Sequence, residues 1–155
     1  MKHLGLAFVG VVATAFVVGS LGCSKPVSGD AGSDRIVGAW FVKEVGAPFL
    51  YHMYVFNADG TLQQANPDAG DAHTSDSDGK GVWTADGQKI SGKWVEVTAD
   101  RVTRQFVGRG ELSFEIVVNG DRFAGTAVFR SYDANGTLVG GPENSSLAGE
   151  RVTLP

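Results

Sequence analysis

The sequence predicts an all-β domain, folded as an antiparallel up-and-down barrel of about eight or nine short strands. Three observations carry this. Glycine is abundant, at 22 of 155 residues, proline is scarce at 5, and there are 15 aromatic side chains. That composition suits many short strands joined by glycine turns. Turn signals recur every 8–12 residues, and no stretch carries a convincing amphipathic helix. Length sets one domain, and most connections are short enough to join sequence neighbours as hairpins.

The elements follow in chain order. Residues 1–22 read as a secretory signal. Lys2 and His3 give a short basic start, Leu4 to Val18 is an uncharged apolar run, and Gly19 to Gly22 supplies small residues. The run is 15 residues long, short of the roughly 20 that span a bilayer. Extended to Gly22 it reaches 19, which leaves an uncleaved anchor as the second reading. Residues 23–34 form a small, polar linker, Ser24 to Asp34 following Cys23. Residues 35–155 form the barrel domain.

Strands are expected at Ile36–Val45, Leu50–Phe56, Thr61–Ala65, Gly81–Thr84, Lys89–Val97, Arg101–Val107, Glu111–Val118, Arg122–Tyr132 and Leu147–Leu154. The first, IVGAWFVKEV, is rich in β-branched and aromatic residues. The turns Asn57-Ala58-Asp59-Gly60 and Asp133-Ala134-Asn135-Gly136 are near copies, each followed by Thr-Leu. Both place glycine where a hairpin needs φ > 0. Residues 66–79 form a long polar loop.

Charge and cysteine count narrow the function classes. The chain carries 13 Lys+Arg against 17 Asp+Glu, and no basic run interrupts it, which argues against a nucleic-acid partner. One cysteine gives neither an internal disulfide framework nor a cysteine-based zinc site. The segment Ser20-Leu21-Gly22-Cys23 resembles a bacterial lipobox. The resemblance implies that Cys23 is lipidated and becomes the new N-terminus, and that the membrane is a partner through this anchor. With Ser24 next, it implies a membrane-anchored lipoprotein, at the outer membrane or facing the periplasm. Two or three acyl chains anchor stably where one does not. Ser20 and Gly22 also suit ordinary signal cleavage, which would give a secreted soluble protein.

A second resemblance covers the barrel. Gly38-Ala39-Trp40, Phe56 to Thr61, Gly81-Val82-Trp83, Phe123-x-Gly125-Thr126 and the closing Gly149-Glu150-Arg151-Val152 are together similar to bacterial lipocalin-like (calycin-like) small β-barrel proteins. The resemblance implies an eight-stranded or similar barrel with an internal apolar cavity, and brings neither a ligand nor a catalytic residue. Smaller relatives of the barrel include enzymes of the allene-oxide-cyclase type.

Candidate site residues come from parity. Side chains alternate along a strand. With Trp40 inward, Val42 and Glu44 follow it, and Phe56 brings Tyr54 and His52 to the same face. Glu44 and His52 should then come close near one rim, with Tyr54 deeper, either sharing a proton or making an ordinary rim hydrogen bond, unless a β-bulge turns Glu44 outward. Trp40 and Trp83 are the aromatic candidates for lining a ligand site. Asp68, Asp71, Asp76 and Asp78 make an acidic loop with His73, but the glutamate that would complete a calcium loop is missing. No cofactor or metal is assigned, and no catalytic residue. Gly-x-Ser-x-Gly and the glycine-rich phosphate loop are both absent. Three readings stay open: a lipid-anchored barrel binding a small apolar molecule, a small-barrel isomerase or cyclase, and an accessory envelope lipoprotein with a filled core. The oligomeric state is not fixed by any of these features.

Overall fold

The protein is described here by a computed structural model covering residues 33–68 and 70–155. The signal segment and Cys23 lie outside the described residues, as does most of the linker. One helical turn, α1 (Ser33–Ile36), precedes nine strands. These are β1 (Gly38–Val45), β2 (Tyr51–Phe56), β3 (Thr61–Ala65), β4 (Thr74–Asp76), β5 (Gly79–Asp86), β6 (Lys89–Asp100), β7 (Phe106–Asn119), β8 (Arg122–Asp133) and β9 (Leu138–Arg151). Eight of them close into an antiparallel barrel in the order β1-β2-β3-β5-β6-β7-β8-β9, with β9 pairing back onto β1 and β6 onto β7. The ninth, β4, pairs with the end of β6 beyond β5, from Thr74↔Asp100 to Asp76↔Thr98. It extends the wall on one side.

The hydrophobic pattern sets the inner face of each strand. Trp40, Val42 and Glu44 are buried on β1, while Phe41, Lys43 and Val45 face out. His52, Tyr54 and Phe56 do the same on β2, and Leu112, Phe114, Ile116 and Val118 on β7. This is the period of two expected of a sheet with one buried face.

The two ends of the barrel differ. At one end Trp40, Phe56, Trp83, Ile90, Phe114, Ile116, Val118 and Phe123 form a packed core. Phe56 meets the rings of Trp83 and Phe114 edge-on, with centroids 5.9 and 6.0 Å away. The helical turn closes this end: Ile36 is fully buried, and its carbonyl accepts a 2.7 Å hydrogen bond from the Trp40 indole. Arg151 lies 4.3 Å over the Trp40 ring and donates to the carbonyls of Val37 and Arg35. The tight turns at 57–60, 87–88 and 120–121 also fall here. At the other end, the mouth, lie the segments 46–50, 66–73, 101–105 and 134–137.

Four expectations are corrected. Residues 66–79 are not one loop: Thr74–Asp76 forms β4 against the end of β6, and Gly79 already opens β5. Ile36 belongs to the helical turn rather than to the first strand, because its side chain is needed beneath the barrel. Residues 101–105 form a turn, and Phe106–Asn119 is one strand rather than two. Gly108 and Gly110, which punctuate the sequence there, lie within the ladder, paired with Asp133 and Ser131. The last strand starts at Leu138, not Leu147; Gly140, Gly141 and Pro142 discourage a strand in sequence, and the structure absorbs them at register shifts between Phe129 and Tyr132 of β8.

Candidate functional site

A cavity of about 500 Å³ opens at the mouth. Its origin is the residue sizes along the inner face. Toward the closed end the inward positions are large and apolar, aromatic at Trp40, Phe56, Trp83, Phe114 and Phe123. Toward the mouth, Gly110 on β7 and Ser145 on β9 leave space, and Gly110 also lets another group approach. A Cβ there would stand 2.5 Å from Glu96 Oε1 and 2.6 Å from the Phe129 ring. Trp94, Leu112 and Phe129 form the apolar part of the lining, with the Trp94 and Phe129 rings 6.2 Å apart.

The polar part is four buried side chains: Glu44, His52, Gln64 and Glu96, exposed by 3%, 6%, 1% and 8%. Each is carried inward by its strand's alternation, on β1, β2, β3 and β6. Gln64 organises one side. Its Oε1 accepts from the Gly79 amide at 3.0 Å, so its Nε2 must donate, to Asn66 Oδ1 at 2.7 Å and to His52 Nδ1 at 3.0 Å. His52 Nδ1 is therefore an acceptor, and Nε2 carries the hydrogen, which it donates to the Phe49 carbonyl at 2.8 Å. Both ring nitrogens are satisfied.

Glu44 differs. Its Oε1 accepts from Ser145 Oγ at 2.8 Å, whereas its buried Oε2 has no hydrogen-bond partner. His52 Nε2 is 3.7 Å from that oxygen, and its hydrogen is committed to Phe49. The two residues are neighbours on the inner face, as parity suggested, with the Nε2 hydrogen directed at a backbone carbonyl. The tight 46–50 connection puts a backbone carbonyl nearer to the imidazole than the carboxylate is.

Glu96 accepts no hydrogen bond from any described residue, and the charges acting on it are those of Asp76 and Glu44. Burial first, and then these two carboxylates, push its carboxyl up to about 7. Tyr54 sits below, its hydroxyl accepting from the Trp94 indole at 3.1 Å. Burial and the charge of Glu44 drive the phenol far above its usual range, with Glu96 adding to this and the Trp94 hydrogen bond opposing it.

Of the sequence candidates, Glu44 and His52 line the cavity and Tyr54 is buried beneath it. Trp40 and Trp83 do not line it; both are packed in the closed half. Along a strand, the four steps from Trp40 to Glu44 span ~13 Å, so one strand serves both halves. Gln64 and Glu96 were not candidates, although the parity of Leu62 and Trp94 points both of them inward. Carboxylates of the acidic loop are met by the loop itself and by the neighbouring end of β6 and the turn after it. Asp68 accepts from the amides of Gly70 and Asp76, from Ser75 and from Arg101. Those bonds hold its carboxyl well below the usual range. Among the described residues no group of three His, Cys, Asp or Glu is arranged to hold a metal ion. Compared with known protein families, curated proteins and solved structures, the chain matches none of them.

Proposed function

We propose that this chain is a binding module: a lipid-anchored barrel of the cell envelope that takes up a small molecule with an apolar body and a polar end. The observation that carries the reading is the cavity of about 500 Å³ at the mouth. Small-molecule sites run roughly 300–1,000 Å³, and a barrel filled by its own side chains has nothing of that size. The lining supports a two-part ligand, with Trp94, Leu112 and Phe129 offering apolar contact and Glu44 and Glu96 offering acceptors. The anchor rests on the small residues ending in Cys23.

Two experiments test the reading. Solvent extraction of the purified protein, followed by mass spectrometry, should release a small molecule in roughly stoichiometric amount. Extracts identical to those of an unrelated barrel would count against it. Cys23→Ser should move the protein from the membrane fraction to the soluble fraction; a wild-type protein that is already soluble, or that keeps residues before 23, removes the anchor.

A further inference from the structure

The cavity is electrostatically one-sided. Glu44 and Glu96 line it from opposite parts of the wall, and Asp76 joins them from β4. The basic groups on the lining are Arg109 and His52. Arg109 is already engaged: its Nε donates to Glu111 at 2.7 Å, and its guanidinium lies 4.5 Å over the Tyr132 ring. His52 has both nitrogens in use. Two buried carboxylates thus reach the cavity without a positive partner. Glu96 has no hydrogen bond at all among the described residues, and Glu44 has one oxygen unpartnered. Burying an unpaired carboxylate is costly, and the usual compensation is a cation or a donor within reach.

Among the described residues no three His, Cys, Asp or Glu side chains are grouped to hold a metal ion. Beside the carboxylates the lining supplies the faces of Trp94 and Phe129. Aromatic rings attract ammonium groups and accept hydrocarbon equally well. We propose that the mouth of the barrel is a site for a small organic ammonium, with its protonated nitrogen received by Glu96 and Glu44 and its apolar body packed on Trp94 and Phe129. This rests on the reading of the barrel as a small-molecule binder and names the class of ligand.

Calorimetric titration of the full-length protein at pH 8 separates the two claims. The probes are phenethylamine and tryptamine, their neutral alcohol counterparts, and the anion 3-phenylpropionate, with neutral N-phenyl-1-naphthylamine as a fluorescent reporter of the apolar cavity. The amines should bind at least ~10-fold more tightly than the alcohols, as charge-assisted hydrogen bonds are worth that much, and the anion should bind least. Glu96→Gln should weaken amine binding ~10-fold and leave the alcohols within about twofold. Glu44→Gln, read in the same way, guards against a variant that does not fold. Alcohols equal to amines, or an amine preference untouched by both substitutions, overturns the ammonium class and leaves the binding module standing. If no probe binds, including the naphthylamine, the binding module falls and this proposal with it.

Discussion

Glu96 shows what one buried carboxylate does to the energetics of this barrel. Its carboxyl is raised from the ordinary glutamate value of 4.5 to about 7, by burial before anything else. Between those pH values the folded chain keeps a proton that the unfolded chain has released. Stability from this group is therefore complete below about pH 4.5, falls as pH rises through the window to 7, and stays lost above it. Glu96→Gln removes the dependence. Denaturant midpoints should show the variant to be more stable than wild type at pH 8, with the difference fading toward pH 4.5; a constant difference would assign the effect to packing alone. Glu44, His52 and Tyr54 were legible in the sequence because a short link fixes the pairing of their two strands, and parity does the rest. Glu96 carries the same signal through Trp94, but nothing in sequence separates an inward glutamate from one facing water. The role of Gln64 was not legible. It depends on Gly79, fifteen residues away and on a strand that pairs only after a long loop.

At the scale of elements, turns did most to make the fold readable. Gly60 and Gly136 have φ of 84° and 83°, in the left-handed region that suits glycine. In both turns the glycine amide donates to the residue three positions back, Asn57 in one and Asp133 in the other. A Cβ at either position meets nothing closer than 3.4 Å, so any cost of substitution comes from the backbone rather than from a clash. Gly60→Val and Gly136→Val should each destabilise by about 1 kcal/mol or more, measured by chemical denaturation. Unchanged midpoints in both would remove the turn assignment's physical basis. The turn at 133–136 was legible for the same reason, but the strand that leaves it was not, since β9 starts at Leu138 rather than at Leu147. Strand ends near the mouth were less so. Gly108, Gly110, Gly140 and Gly141 look like breaks, yet they lie inside long strands. There they leave room for Glu96 and Phe129 or absorb a register shift, and both needs arise only once the barrel has closed.

At the scale of the molecule, the fold assigns different work to its two ends. The closed end, with its aromatic core and the Trp40–Arg151 stack, supplies stability; the mouth has the buried polar groups that a stability argument alone would remove. The described chain enters at the closed end, where α1 packs beneath Trp40, and β9 finishes there beside Asp121. Nine residues lie between Cys23 and Ser33, and the ten steps reach at most ~35 Å when fully extended. An acylated Cys23 would therefore hold the barrel by its base. Fluorophores placed by Asn119→Cys and Asn135→Cys should report this in vesicles bearing the lipidated protein. The first should be quenched by a lipid-borne quencher and the second by one dissolved in water, and equal quenching of both would show that the barrel has no preferred posture. On that posture the mouth would open to the aqueous compartment, so a small molecule taken up there would enter from water rather than sideways out of the bilayer.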